Sequence, residues 1–262
     1  MPELPHVQVF KEYADATSLH KRIEDVRVQD DRPLDGVSIP RLKKTLRGRT
    51  LTSSRRHGKW LFLATDGDPV LALHFGMSGQ LVHTTDAKAP DGTVFSLRFV
   101  DGSTLAMVMP RMLGKVALTE DVEAFLEERE IGPDALDVEE ERFVRRVRTR
   151  SGMVKTALMD QGVLAGLGNE MVDETLFMTG LHPRTKVDDL SDKEIVAIRR
   201  AAKEATERIV EARARREGLP ESMLLRHRGE KDAKCPRCKV PFDRIKVGGR
   251  TTYVCPEHQG AS

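Results

Sequence analysis

The chain has 262 residues, enough for one large domain or two to three smaller ones. It has three cysteines and no apolar run of about 18 residues, which argues against a disulfide scaffold and a membrane-spanning protein. We therefore expect a soluble protein of a reducing, intracellular compartment. The formal net charge of +2 is too small to identify a polyanionic partner by itself.

Charge is unevenly distributed along the chain. Residues 120–141 are strongly acidic, whereas residues 225–250 hold nine Lys or Arg against three acidic residues. A solvated face and a nucleic-acid surface both explain such a basic segment.

The first half of the sequence predicts one helix followed by strands. Apolar residues recur at helical spacing from Glu3 to about Leu19, with Pro5 near the start. The following segments are short, β-branched or alternating, and Gly or Asp-Gly separates them. This pattern predicts a β-sandwich with the first helix on its flank.

The second half is predicted to be helical from about residue 133 to residue 218. Its longest helical segment starts with Ser191 and has Glu194 three residues later, which is a capping-box pattern. Gly218 is the predicted terminator of this helix.

The C-terminal region has the spacing of a zinc site. Cys235 and Cys238 form one pair, and Cys255 and His258 form a second pair after sixteen intervening residues. Two such pairs supply four ligands for tetrahedral Zn²⁺. The residues between them predict two strands joined at Gly248-Gly249, so we expect one structural zinc in a β-hairpin finger.

A glycine-rich turn precedes another predicted helix. Gly162, Gly166 and Gly168 come before Asn169, which opens the helix. Free N–H groups at a helix start attract a phosphate, and Asn169 either contacts that anion or simply caps the helix.

Five stretches occur in the order of a known family. They are MPELP at the start, GKWLFL with Lys59, HFGMSGQL at 74–81, GLGN ending at Asn169, and the zinc hairpin with Arg250. Over nearly its full length the chain resembles the formamidopyrimidine-DNA glycosylase and endonuclease VIII family. The resemblance implies an α+β fold with an N-terminal helix on a two-layer β-sandwich (1–132), a helix-two-turn-helix domain (133–224) and a zinc β-hairpin finger (225–262). It also implies that DNA lies in a cleft between the lobes.

The resemblance further implies a bifunctional glycosylase and abasic-site lyase. Pro2, exposed by removal of Met1, would attack C1′ of a damaged nucleoside and form an iminium, followed by β-elimination and a possible δ-elimination. Glu3 would protonate the opening sugar, with its carboxyl kept neutral by burial. Lys59, expected on a strand, would contact a phosphate or the leaving base.

The DNA-contacting residues implied by the resemblance lie elsewhere in the chain. Asn169 and Arg250 would hold phosphates, Met77 would fill the space left by the extruded nucleotide, and Arg111 would pair with the orphaned base. Glu174 matches an acid near the site. The alternatives are a core methionine, a solvated loop arginine and a helix-surface glutamate. The expected partner is damaged double-stranded DNA, and no membrane association is expected. We expect a monomer in the cytoplasm that associates with the nucleoid through DNA.

Some positions depart from the family pattern, and the segment 219–234 is shorter than the one that caps an oxidised purine in relatives. The departures are His6, Gln8, Met112, Leu113, Glu170 and Met171. These departures do not determine which damaged base the protein would recognise. They also leave two other functions open: an abasic-site lyase with little base excision, and a non-catalytic damaged-DNA binding protein.

Overall fold

A computed structural model describes residues 1–86 and 88–260. The chain forms two compact units. The first contains residues 1–2 and 7–129, and the second contains residues 3–6 and the chain from Glu130 onward. The predicted first helix is present as α1 (Leu4–Ser18), and its first three residues belong to the second unit.

The described part of the first unit contains two four-stranded antiparallel sheets. One has the order β1 (Ile23–Val28), β6 (Thr93–Phe99), β7 (Thr104–Val108) and β5 (Gln80–Thr84), and the other has the order β2 (Leu51–His57), β3 (Trp60–Thr65), β4 (Val70–His74) and β8 (Lys115–Thr119). Leu61 and Leu73 from one sheet and Leu97 and Leu105 from the other share one hydrophobic core. This arrangement confirms the predicted β-sandwich. The unit also contains the helices α2 (Ile39–Leu46) and α3 (Val122–Glu128).

The second unit is helical up to its C-terminal hairpin. Phe143, Phe177 and Ile195, from three different helices, lie in one buried core. The Ser191 and Glu194 capping box is present at the start of the longest helix, as predicted. The elements are α4 (Glu140–Arg148), α5 (Val154–Met159), α6 (Asn169–Thr179), α7 (Asp192–Glu211), α8 (Leu224–His227), β9 (Asp243–Val247) and β10 (Arg250–Val254).

The predicted end of α7 at Gly218 is wrong. The helix ends at Glu211, and Arg213 and Ala214 then adopt left-handed φ angles of 52° and 54°. The Ala214 N–H donates to the carbonyl of Ile209 at 2.8 Å, so backbone hydrogen bonding closes the helix without a glycine. Gly218 lies in a later 3₁₀ turn.

The hairpin of β9 and β10 forms where the sequence predicts it. Val247 pairs with Arg250, and Gly248 and Gly249 form the turn with φ angles of 55° and 73°. Positive φ at both central residues is the requirement of a type I′ turn, which glycine meets at low cost. Among the described residues, every helix is too short or too polar to span a bilayer.

Candidate active site and metal centre

The Glu3 carboxylate lies at the N-terminus of α6. Glu3 is 1% exposed, and its two oxygens accept hydrogen bonds from the backbone N–H groups of Glu170 and Met171 at 3.0 and 2.9 Å. Gly168, at the N-cap of α6, has no side chain to provide these acceptors. The anion at these two N–H groups is therefore Glu3, and the expectation that they attract a phosphate is wrong.

The glycines before α6 make room for the start of the chain. A Cβ on Gly168 would lie 2.3 Å from Glu3 Cδ, and one on Gly166 would lie 2.4 Å from Leu4 Cδ1. Gly166 also has a φ of 111°, and its carbonyl accepts the Leu4 N–H at 3.1 Å. The glycine turn thus serves close packing with residues 3 and 4.

A cavity of about 90 Å³ adjoins the Glu3 carboxylate. One group of its lining residues is polar and the other is apolar, so the cavity suits a flat molecule with a polar edge. The polar group is Glu3, His6, Glu170 and Arg216, and the apolar group is Met171, Ile209, Ala214, Leu219 and Leu225.

Pro2 directly precedes this buried acid in the sequence. Pro2 is half-buried, and Met1 before it is 48% exposed. Removal of the exposed Met1 would leave a secondary amine one peptide bond away from Glu3.

Asn169 contacts the residue that follows Arg250 in β10. Asn169 Nδ2 donates to the Thr251 carbonyl at 3.0 Å, and Thr251 follows the exposed Arg250. Asn169 Oδ1 is buried and has no hydrogen-bond partner in residues 1–86 and 88–260. Because Gly168 occupies the N-cap position, the helix-capping interpretation of Asn169 is wrong.

A buried charge cluster beneath this contact was not predicted. Lys155 Nζ lies 2.5 Å from Asp173 Oδ1 and 2.6 Å from Thr252 Oγ1, and Arg228 pairs with the other Asp173 oxygen. Arg228 also donates to the Thr251 carbonyl at 3.0 Å. Burial lowers the pKa of Lys155, while Asp173 acts in the opposite direction. The only sequence clue was a lysine in the otherwise apolar stretch MVKTAL.

Glu174 is fully buried, so the helix-surface interpretation is wrong. Its Oε2 accepts the Leu225 N–H at 2.8 Å, and Oε1 has no partner within the described chain. Burial raises the pKa of Glu174 to about 7. In this conformation the carboxylate is inaccessible to DNA and instead holds the segment that leads to Leu225.

Lys59 lies in a turn and not on a strand as expected. His57 pairs with Trp60, so Gly58 and Lys59 form the two-residue connection between β2 and β3. Gly58 adopts a φ of 56°, which such tight hairpin turns require. Burial, together with the nearby Lys59 ammonium, lowers the pKa of His74 to about 4.

Met77 and Arg111 lie on two contacting loops of the first unit. A Cβ on Gly76 would lie 2.5 Å from the Leu113 carbonyl carbon, so the loops touch at the backbone. Met77 is 42% exposed and Leu113 is 57% exposed, and Arg111 is exposed as well. The core interpretation of Met77 is therefore wrong.

Four side chains of the second unit form a metal centre. The ligand atoms of Cys235, Cys238, Cys255 and His258 all lie within 4.8 Å of one another. His258 Nδ1 is 3.6 and 3.4 Å from the sulfurs of Cys235 and Cys238, and Nε2 is 3.2 Å from the Phe177 carbonyl. That contact places the ring proton on Nε2 and leaves Nδ1 free to bind a metal. The donor set fits one structural zinc.

Comparison with known proteins agrees with these features. Family models match residues 1–116 (formamidopyrimidine-DNA glycosylase N-terminal domain), 131–217 (formamidopyrimidine-DNA glycosylase H2TH domain) and 233–257 (zinc finger found in FPG and IleRS). A formamidopyrimidine-DNA glycosylase of Exiguobacterium sibiricum is 32% identical, with 99% of each chain covered.

The chain belongs to the formamidopyrimidine-DNA glycosylase family. The Arabidopsis thaliana formamidopyrimidine-DNA glycosylase is 29% identical, covering 99% of this chain and 71% of that protein. Among solved structures, Lactococcus lactis formamidopyrimidine-DNA glycosylase non-covalently bound to DNA containing an abasic site has a TM-score of 0.87 at 27% identity, covering 98% of this chain and 99% of that one. MutM in complex with DNA containing carbocyclic 8-oxo-G has a TM-score of 0.89 at 26% identity, covering 99% and 100%.

Membership of the glycosylase family confirms the expected fold and the zinc finger. It also gives the chain the general role of a DNA repair glycosylase. Five of the six positions expected to depart from the family pattern lie in two places. Met112 and Leu113 lie on the exposed loop beside Met77, while His6, Glu170 and Met171 line the cavity next to Glu3.

Proposed function

We propose that the protein excises an oxidised or ring-opened base from double-stranded DNA and then cleaves the abasic site, with Pro2 as the nucleophile. The observation that carries the proposal is the Glu3 carboxylate, buried at the start of α6 and adjacent in sequence to Pro2. An acid held in this way can exchange a proton next to an attacking amine.

The chemistry of an N-terminal proline suits the reaction. An α-amino group has a reference pKa near 7.7–8.0, so a useful fraction is neutral and nucleophilic at physiological pH. Its attack on C1′ displaces the base. Ring opening and loss of a proton from nitrogen leave a cationic iminium. The iminium acidifies the C2′ hydrogens, and β-elimination then expels the 3′ phosphate.

Glu3 has features that suit both directions of proton transfer. Burial favours its neutral form, which can protonate the sugar oxygen as the ring opens. The two N–H donors and the positive end of α6 stabilise the carboxylate that this transfer leaves. The same carboxylate can then accept a proton in the elimination step.

The proposed DNA contacts divide between the two units. Asn169 and Arg250 would hold phosphates, supported by the hydrogen bond from Asn169 Nδ2 to the carbonyl of Thr251, the residue after the exposed Arg250. Met77 and Arg111 would occupy the space beside the orphaned base, supported by their exposure. Lys59 would contact a phosphate or the base. The proposed partner is damaged duplex DNA, the ligand of the structural neighbours described above, and the proposed enzyme is monomeric and intracellular.

Borohydride trapping tests the nucleophile. Native protein, verified by mass to lack Met1, is mixed with DNA containing an abasic site and reduced. We expect a covalent adduct with native protein and none with Pro2→Gly or with an N-terminally extended chain. Glu3→Gln should form the adduct more slowly, by about 10²- to 10⁴-fold for loss of a general acid, and circular dichroism should verify that the variant is folded. A correctly processed native protein that gives no adduct would refute the mechanism.

A lyase with little base excision is the second candidate. The small cavity of about 90 Å³ beside Glu3 favours it, because a large base does not fit without movement of the cavity wall. Release of 8-oxoguanine, formamidopyrimidines and oxidised pyrimidines should be compared with cleavage of a preformed abasic site. Cleavage without release of any base supports the lyase, and binding with neither activity supports the non-catalytic alternative.

A further inference from the structure

His6 contacts the backbone of Glu3 and also faces the cavity. Its Nδ1 lies 3.4 Å from the Glu3 N–H and accepts a hydrogen bond from it, and its ring lines the cavity together with Glu170 and Arg216. A ring nitrogen that accepts a hydrogen bond carries no proton, so the proton of the neutral imidazole is on Nε2.

The neutral ring predominates at neutral pH. Burial lowers the pKa of His6 below 6.5, against the opposing effect of the Glu170 carboxylate. The other charged groups that line the same cavity are Glu3 and Arg216. Within residues 1–86 and 88–260, the hydrogen bond of the His6 ring is the one that Nδ1 accepts from Glu3, so Nε2 is available as a donor to a bound molecule.

Glu170 lines the same cavity, acts electrostatically on His6 and supplies a carboxylate acceptor. Its Oε1 is 3.8 Å from Arg216 Nη2 and 3.9 Å from Arg228 Nε, distances too long for strong pairing. An N–H donor beside a carboxylate acceptor complements an amide edge, in which a carbonyl oxygen adjoins an N–H. The apolar wall of the cavity suits the flat face of a base, and this wall must move outward to admit one because the free volume is only about 90 Å³.

We propose that His6 is a specificity-determining residue whose Nε2–H donates to a carbonyl oxygen of the extruded base, so that the cavity selects a lactam edge over the corresponding amino base. This inference depends on the proposed glycosylase function, because only an extruded base would enter the cavity. It assigns a function to a position where the resemblance implies a departure from the family pattern.

A purely structural role for His6 makes the opposite prediction about its two nitrogens. The bond from the Glu3 N–H to His6 Nδ1 spans three residues at the start of α1, as in a capping box. If this bond alone matters, a substitution that keeps the Nδ1 acceptor will preserve function. If Nε2 contacts the base, a substitution that keeps a donor at Nε2 will preserve function.

The variants His6→Asn and His6→Gln separate these roles. An Asn side chain keeps an acceptor near the Nδ1 position but does not reach the Nε2 position. A Gln side chain places an amide donor near Nε2 and loses the Nδ1 acceptor. The substrates are two matched pairs, 5-hydroxyuracil with 5-hydroxycytosine and 8-oxoguanine with 8-oxoadenine, which differ in their lactam or amino edge. Single-turnover base release is divided by the rate of cleavage at a preformed abasic site.

We expect native protein to prefer the lactam member of at least one pair. In His6→Asn the normalised rate on that base should fall about tenfold, the value of one buried hydrogen bond, while His6→Gln should retain most of it. The proposal is overturned if His6→Asn keeps the preference and His6→Gln loses it, if neither pair is discriminated, or if native protein releases none of the four bases. Failure of native protein to form a borohydride adduct is a separate result, which refutes the proposed function.

Discussion

The two units present their candidate functional residues in opposite ways. In the first unit, Met77 and Leu113 extend from loops with much of their side chains exposed. In the second unit, Glu3 and Glu174 are buried and hydrogen-bonded to backbone N–H groups. Exposed side chains can change at little cost to folding, whereas buried polar groups tie function to stability. Substitutions should therefore separate folding from DNA binding at the exposed loop positions of the first unit but not at the buried acids of the second.

Loss of the zinc centre should have the largest effect. Cys255→Ser removes one of four ligands, and a structural zinc contributes on the order of 10 kcal/mol to the folding of a small finger. We expect loss of bound zinc, loss of hydrogen-exchange protection in β9 and β10, and weaker DNA binding. Zinc content and hydrogen exchange measure the first two effects. The control is Pro256→Ala, at an exposed position next to Cys255. Retention of zinc and protection by Cys255→Ser would contradict the assignment.

Glu174→Gln should change how stability depends on pH. The pKa of Glu174 is about 7 in the folded protein and about 4.5 in the unfolded chain. Between these values the folded state binds more protons, so the free energy of unfolding falls as pH rises from about 4.5 to about 7. The neutral variant should lack this decrease, which amounts to roughly 3 kcal/mol at most.

Urea unfolding at several pH values between 5 and 8 checks the Glu174 prediction. Glu211→Gln, on the exposed end of α7, is the matched control and should follow native protein. Parallel pH profiles for native protein and Glu174→Gln would show that this buried acid does not link stability to pH.

Gly168→Ala should reduce stability and activity together. Its Cβ would lie 2.3 Å from Glu3 Cδ, and overpacking by one methyl group costs about 1–3 kcal/mol. The control is Gly67→Ala in the first unit, where the Cβ would meet only the flexible end of Arg49 at 2.6 Å. For Gly168→Ala, the free energy of unfolding measured in urea and the yield of the borohydride adduct should both be lower than for native protein. Equal losses of stability and adduct yield in Gly168→Ala and Gly67→Ala would contradict the proposed difference between the two units.

Arg250→Ala should weaken DNA binding with little loss of stability. Removal of one phosphate contact should lower the slope of log affinity against log salt by about 0.9. Arg244→Ala, exposed on the neighbouring strand β9, removes the same charge and should alter the slope less. Asn169→Ala should also lower affinity, since its amide is a proposed phosphate donor. Identical slopes for native protein and Arg250→Ala would refute the assigned role of Arg250.

Leu113→Ala should have the smallest effect on folding. Leu113 is 57% exposed, so stability should change by less than about 0.5 kcal/mol. Affinity for DNA with an abasic site should fall a few-fold, because less apolar surface contacts the opened duplex. Val100→Ala, at a position 65% exposed, is the control and should change neither quantity. A large loss of stability in Leu113→Ala would show that the loops of the first unit are not independent of its core.

Features governed by local spacing were predictable from the sequence. The Gly248-Gly249 hairpin and the capping box of α7 depend on residues that lie a few positions apart. The zinc ligands form two pairs, each with the same short spacing. The alternating strands likewise indicated the β-sandwich, because each strand carries its own period. The end of α7 was mispredicted for a related reason, since a glycine is a sufficient but not a necessary way to close a helix.

The sequence by itself determined the family, the zinc ligands and the order of the elements. Only the tertiary structure decided that Glu3 supplies the anion for α6, across 167 residues of chain, and that Lys155, Asp173 and Arg228 meet in one buried cluster. Only the structure also showed that Glu174 is buried and that His6 faces a cavity. Local patterns reflect the conformational preferences of neighbouring residues, whereas burial and long-range pairing arise when distant segments pack against one another.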